Sequence, residues 1–564
     1  MIRTVGLRRM LPAVAVASSI ALIASGCSGD DKGEANTGGG SGGDSGRVLN
    51  VWAGSQTPIV ANFNPFMPNA LLHATQGPIL EPLFYFNKVA DAAPTPLLGE
   101  SFEWNEDGTS MTIKVREGVK WNDGEPFTAK DVAFTYNYEI AKPSYLETAE
   151  ATDDTTVTLT FNTPSFTNED GLLQMLIVPE HIWKDVPDAA VATNENPVGT
   201  GPYTVESVSD AAYVLVANPN YWQEGKPAVK KVRYLALNSN QTSSDLLTTG
   251  QLDWAGMFSP DPSKVTGGGT LAMINTPVDP TVLYTCSNAE LGCEGPQTDV
   301  AVRQAINLAI DRTTLNEKAW AGQAKTISPT YALLGRDDKW IAPGMEKESP
   351  QTADAAAAGA ILEAAGYAKG SDGIYAKGGQ KVELTLSSVD GWTDYNDAAK
   401  LISEQAAAAG IKITPMQVTW DEFAEGRSAG TYQLIMGGLI GTATADPYSL
   451  YRDWLTTEAT TPVGTAIASG DWNFSRYSNP DVDAAVLAAS GTLDEDAKKA
   501  AYTVVQENIL RDMPYIPIVV NATQTFMNTK DYTGWPTEDN MYAFPPSWAS
   551  VGAGIVLADL KPAN

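Results

Sequence analysis

The chain has 564 residues, 43% apolar and 18% charged, with 37 Lys and Arg against 67 Asp and Glu for a net charge of −30. Such acidity argues against a nucleic-acid partner, which calls for clustered Lys and Arg against phosphate, and against adhesion to anionic lipid by charge alone. The 14 Trp and 21 Tyr are ample for packed cores and for an aromatic-lined cleft.

Arg3, Arg8 and Arg9 open the chain with positive charge, and Leu11 to Ile23 is mostly Ala, Val, Ile and Leu. This is the layout of a secretory signal peptide. It ends in Leu22-Ile23-Ala24-Ser25-Gly26-Cys27, which resembles a bacterial lipobox, with Cys27 as the acylated first residue of the mature protein. An uncleaved membrane anchor is the alternative, although the apolar run is short against the roughly 20 residues of a span. Export of this kind places the rest of the chain extracytoplasmically, anchored by lipid to the outer face of the cell membrane. Residues 28–46, SGDDKGEANTGGGSGGDSG, read as a flexible tether, because they hold no apolar residue larger than Ala35. Within them Gly39-Gly40-Ser41-Gly42-Gly43 matches G-x-S-x-G but lacks the strand-turn-helix setting that a nucleophile elbow needs.

The first 26 residues removed from 564 leave 538, too many for one core, so two or three lobes are expected. Loss of the three arginines takes the net charge from −30 to −33. Cys286 and Cys293, in an oxidising compartment, predict a small disulfide-closed loop. A metal site lacks support, since His73 and His181 are the only histidines and neither lies near the pair. No cofactor motif is present.

In chain order, Val48 to Trp52 reads as a first strand and Asn62 to Phe66 as a Pro/Asn-rich turn. Met111 to Val115 alternates apolar and polar residues, and Glu117-Gly118 and Asn122-Asp123-Gly124 turn the chain. Thr128-Ala129-Lys130-Asp131 predicts a capping box opening an amphipathic helix toward Ile140. Val157 to Phe161 is another alternating strand. Val198 to Tyr203 is a glycine-rich turn before a strand, without the Lys and Ser/Thr of a phosphate loop. Helices are predicted over 298–311, with Val302, Ile306 and Ile310 on the core face, over 352–365, and over 396–409 before a strand at 411–413. Alternating strands and helices make the class α/β.

Seven segments, taken together, resemble the extracytoplasmic solute-binding proteins of peptide-type ABC importers, the oligopeptide, dipeptide and nickel group. The first two are Gly118-Val119-Lys120-Trp121-Asn122-Asp123-Gly124 continuing to Val132, and Val178-Pro179-Glu180-His181-Ile182-Trp183. Next come Gly199 to Tyr203, Asn218-Pro219-Asn220-Tyr221-Trp222 and Val302 to Asn307. Ala309-Ile310-Asp311-Arg312 and Tyr477 to Asp483 complete a set that spans about residues 47–550 in the family's order. The resemblance implies a periplasmic-binding-protein-like, two-lobe α/β flytrap with an extra inserted domain. On that expectation lobe one comprises 47–82, 197–283 and 516–564, the inserted domain is 83–196, and lobe two is 284–515. Trp121 and Phe127 are expected to be packing residues, and His181 a satisfied core histidine.

In peptide-binding members the stretch equivalent to Thr419–Tyr451 lines a side-chain pocket. The resemblance assigns Trp420 to the pocket wall and Arg427 to a basic position beside it. The family's ammonium-binding aspartate falls on Ala443 and an adjacent tryptophan on Ile440, so both key side chains are missing. Either Asp446 or another acid takes over the ammonium, or the solute is not an ordinary free-amine peptide. A sugar would instead use Trp392, Trp420, Tyr395 and Asn396, and Ser55 and Gln56 are cleft residues by position after the first strand. The expected partners are a peptide, modified peptide or oligosaccharide and an ABC permease, with the chain a monomer. A carboxylate hydrolase finds no nucleophile-base-acid constellation. A sensor that donates no solute remains a third reading of the same fold.

Overall fold

The computed structural model describes residues 47–54, 59–67, 70–237, 239–439, 444–467 and 471–563. The proposals for Cys27, Ser55, Gln56, Ile440 and Ala443 fall outside them.

The architecture is organised by two long antiparallel strands, Leu271–Thr285 and Tyr515–Asn528, paired from Leu271 opposite Asn528 to Tyr284 opposite Tyr515. They form the middle of a ten-stranded sheet. On one side lie Leu434–Gly438, Glu383–Val389 and, at the edge, Lys412–Val418. On the other lie Trp254–Gly256, Leu49–Trp52, Lys231–Leu235, Ala212–Ala217 and the edge strand Tyr203–Ser209. Each half of the sheet is thus fastened to a different end of the same two strands. Their register shifts between Pro277 and Asp279 and again between Thr281 and Val282. Pro277 and Pro280 have no N–H to give the ladder, so the pairing is weakest where the halves meet.

A second, four-stranded antiparallel sheet runs Gly99–Trp104, Ser110–Val115, Thr156–Phe161, Leu146–Asp153. Met111, Ile113 and Val115 point inward from alternate positions, as the sequence alternation predicts. The helix Ala129–Asn137 packs on this sheet and opens with the predicted capping box, Thr128 and Asp131 each accepting from the other's end of the turn. It stops at Asn137, short of Ile140, where Tyr138 turns extended. One hydrophobic core runs through this sheet and the adjoining half of the large one, and Trp121 and Phe127 sit in it edge to face at 5.9 Å. His181 is not a core residue: it is partly exposed and pairs with Asp123 at 2.9 Å.

The other half has two cores. An aromatic nest of Tyr284, Trp454, Phe474 and Tyr515 occupies one face, and Leu283, Ile306, Trp320, Leu384 and Ile402 the other. The helix Val300–Ala309 buries Val302 and Ile306, and its Arg303 is buried too, donating to the carbonyls of Gln297, Thr298, Asp512 and Met513. Arg312 likewise donates to the carbonyls of Asn307, Pro350 and Pro517. These arginines satisfy main-chain acceptors that would otherwise be orphaned in the interior. Cys286 and Cys293 come together with their Cα atoms 5.4 Å apart.

Candidate functional site

Glu383–Val389 runs parallel to both Lys412–Val418 and Leu434–Gly438, so the three strands end on one side. In an open α/β sheet, ligand sites gather outside such carboxyl ends. Here Trp392 follows the first strand, Thr419–Trp420 the second and Thr444–Asp446 lies beyond the third. The crossing strands bring Asp279 and Asn521 to the same place, and the opposite half contributes Asn240 and Phe258.

A cavity of about 330 Å³ lies here, lined by Asp279, Asn521, Asp394, Trp392, Tyr395, Asn240 and Phe258. From Trp392 and Tyr395 in its lining an aromatic cluster runs outward. Trp392 meets Tyr395 edge-on at 5.4 Å, Phe423 at 5.5 Å and Trp420 at 5.9 Å, while Trp420 stacks on Phe423 at 5.7 Å. Both tryptophans keep large open faces, 36% and 51% exposed, which is unusual for side chains of this size. The two helices that carry them start differently. Trp420–Ala429 begins with a capping box of Thr419 and Glu422, whereas Thr393–Ala408 has Trp392 at its N-cap with no side-chain bond.

The cavity floor is acidic. Asp394, in the first turn of its helix, accepts from Asn521 Nδ2 at 3.3 Å. Burial pushes the Asp279 carboxyl up to about 6, with Lys88 opposing the shift and Asp394 adding to it. Burial also raises the Asp394 carboxyl above its usual range.

The predicted residues divide. Trp392 lines the cavity, and Trp420 packs against Trp392 at 5.9 Å from outside that lining. Arg427 lies behind Trp420, its guanidinium over the rings of Phe474 at 4.4 Å and Phe423 at 5.4 Å. Asp446 lines a separate cavity with Phe166, Asp170 and Thr444. Its carboxylate accepts from Lys498 Nζ at 2.8 Å, Tyr502 Oη at 2.6 Å and Tyr448 N at 2.9 Å. Tyr395 also lines the cavity, its hydroxyl bonded to Thr281 Oγ1, whereas Asn396 is turned inward to Ser388 and the Val389 carbonyl. Sequence reading missed Asp279, Asp394 and Asn521, which no local motif connects.

Across the cleft the halves touch. Arg336 donates to the Lys88 carbonyl at 2.7 Å and Arg452 to Asn168 Oδ1 at 3.1 Å, while the Lys88 ammonium sits over Phe544 of its own half at 4.1 Å.

Two α/β halves on crossing strands, closing on an aromatic and acidic cavity, define a flytrap-type solute-binding protein. The chain belongs to the bacterial extracellular solute-binding proteins, family 5, whose middle-region model matches residues 93–462. Protein XP55 of Streptomyces lividans is 31% identical over 425 residues, 73% of each chain. The glutathione-binding protein GsiB of Pectobacterium atrosepticum is 26% identical over 88% of this chain and 94% of its own. Among solved structures, a periplasmic oligopeptide-binding protein of an ABC transporter from Thermotoga maritima matches with a TM-score of 0.83 at 26% identity, over 92% of this chain and 100% of that one. Its mannohexaose-bound form matches at 0.79, with 26% identity over 93% and 100%.

Proposed function

We propose that this chain captures a peptide or peptide-like solute in the cavity beside Trp392 and delivers it to an ABC permease, as the substrate-binding component of an importer. The observation that carries the reading is the open aromatic wall at the meeting of three parallel strand ends and the two crossing strands, in a chain of this family. A receptor of this kind must enclose its solute and release it, so the solute has to favour the closed state differentially. Cleft contacts such as Arg336 with Lys88 supply a closed state to favour. No substrate turnover is part of the proposal.

An oligosaccharide is the second reading, favoured by the paired open faces of Trp392 and Trp420 and by the mannohexaose-bound relative. The same proposal divides the chain into lobe one as 47–82, 197–283 and 516–564, the inserted domain as 83–196 and lobe two as 284–515, a reading supported by the two strands shared between the halves of the sheet. The lipid anchor at Cys27 with its 28–46 tether, and a Cys286–Cys293 bridge suited to an oxidising compartment, belong to the same proposal. Native mass spectrometry of the protein purified under mild conditions tests it. A retained peptide supports the first reading, a retained sugar replaces it with the second, and covalent turnover of an added solute would sink both.

A further inference from the structure

We propose that a cavity between the helix Val551–Asp559 and the segments around Glu81 and Tyr221, with the Glu81 carboxylate in its lining, binds a small organic ammonium ion. This is a second site, outside the cleft, and it does not depend on which solute the cleft takes.

The cavity is about 120 Å³, room for several waters or one small organic molecule. Its described lining falls within 77–226 and 551–559, which excludes the half that carries Trp392 and Trp420. Leu97, Val551, Ile555 and Ala558 give it apolar walls, and Glu81, Tyr221 and Gln223 bring polar groups to it. Lys226 and Asp559 form an ion pair along one side, their side chains 37% and 34% exposed, so this side faces solvent through a pair whose charges cancel.

Glu81 is 3% exposed. Its Oε2 accepts from Trp222 Nε1 at 3.0 Å and its Oε1 from Tyr221 Oη at 3.2 Å. Both donors are neutral, and an ionised carboxylate has about four acceptor positions, so roughly half of its capacity is unused. Among the described residues no ammonium or guanidinium pairs with it. Lys226 is committed to Asp559. Arg116 lies over the Trp222 ring at 4.3 Å and donates Nε–H to the Leu97 carbonyl at 3.0 Å, so it acts on Glu81 only through space.

A carboxylate sealed from water with neutral donors alone is costly in its ionised form, and burial accordingly raises the carboxyl to about 7. A guest ammonium supplies the missing positive charge through charge-assisted hydrogen bonds. Its short alkyl chain covers the apolar wall of Leu97, Ile555 and Ala558. A neutral alcohol brings the chain without the charge, and an anion meets like charge.

The test uses the full chain with propylammonium chloride as the probe, propan-1-ol as its uncharged counterpart of the same shape, and sodium chloride at matched ionic strength. Melting temperature against probe concentration gives an apparent affinity. We expect saturable stabilisation by propylammonium at pH 8 and none from propan-1-ol or sodium chloride over the same concentrations. With the carboxyl at about 7, roughly one in a hundred is ionised at pH 5, so the apparent affinity should fall there by about tenfold or more. Glu81→Gln removes the charge, and Ile555→Phe fills the cavity with the acid in place. Each should weaken binding by about tenfold or more at pH 8. Undiminished affinity in either folded variant puts the amine elsewhere, the cleft included, and overturns the proposal. Equal stabilisation by propan-1-ol, or no saturable effect at pH 8, overturns it as well. Should neither variant fold, the pH and propan-1-ol comparisons on the wild-type chain decide.

Discussion

Arg336 bridges the two halves of the molecule to Lys88: it donates Nη1–H to the Lys88 carbonyl oxygen at 2.7 Å while its other nitrogens fork onto Asp337 at 2.6 and 2.9 Å. Asp337 in turn accepts from Leu333 N at 3.0 Å, so the guanidinium is held in a fixed pose. A planar fork on one carboxylate leaves donors aimed outward, which Lys in its place would not. Arg336→Ala strands the buried Asp337 charge and removes the contact across the cleft. We expect a loss of about 3 kcal/mol in stability by chemical denaturation. Small-angle scattering should show a larger ligand-free radius, and Arg336→Lys should recover most of the stability but not the compact form.

Trp392 and Trp420 test the aromatic wall. Their indoles keep open faces and contribute little to any core, so truncation removes contact area for solute rather than for folding. Trp420→Ala should weaken solute binding by roughly five- to tenfold, the weight of one aromatic contact, with the melting temperature nearly unchanged. Calorimetry with the solute recovered from the wild-type protein checks it, and unchanged affinity would place the wall outside the site.

Trp121 is the converse case. It belongs to the same run of recognisable residues as Asn122-Asp123-Gly124, but its ring is fully buried against Phe127. Trp121→Ala should cost about 3–5 kcal/mol in stability, while solute affinity measured in the folded fraction stays as in wild type.

What was legible from sequence follows from how local each determinant is. The capping box at Thr128 and Asp131 and the alternation of Met111, Ile113 and Val115 are contained in a few residues, and the structure has both. Starts without a side-chain cap are silent: the helix expected from 396 begins at Thr393, because Trp392 sits at its N-cap and gives no polar signal. The helix expected from 352 begins at Ala355 behind the cap of Asp354. His181 read as apolar from its neighbours Ile182 and Trp183, yet a short helix turns it out to Asp123. The acidic floor is the extreme case. Asp279, Asp394 and Asn521 are more than a hundred residues apart and meet only because the crossing strands pair in one register.

Cys27 carries the prediction about place. Acylation at this residue, with 28–46 as a loose tether, would keep the receptor near its permease and raise its effective concentration there. Cys27→Ala should move the protein from the membrane fraction to the medium or soluble fraction without altering solute binding. Continued membrane association of the variant would rule out the lipid anchor.

Glu81 sets a pH dependence that is independent of the cleft. It is buried, and its carboxylate accepts from Trp222 Nε1 at 3.0 Å and Tyr221 Oη at 3.2 Å. Burial outweighs these donors and pushes the carboxyl up from 4.5 to about 7. The folded protein therefore holds a proton at Glu81 in a range where the unfolded chain has lost it. Its contribution is fully present below about pH 4.5 and declines as pH rises, until it is gone above about pH 7. Over that window the difference is on the order of 3 kcal/mol. Glu81→Gln, which keeps the shape of the protonated acid, should match wild type near pH 4.5 and exceed it in stability at pH 8. Denaturant midpoints at the two pH values check the sign, and a Gln variant less stable than wild type at pH 8 would show that the ionised carboxylate is the stabilising form.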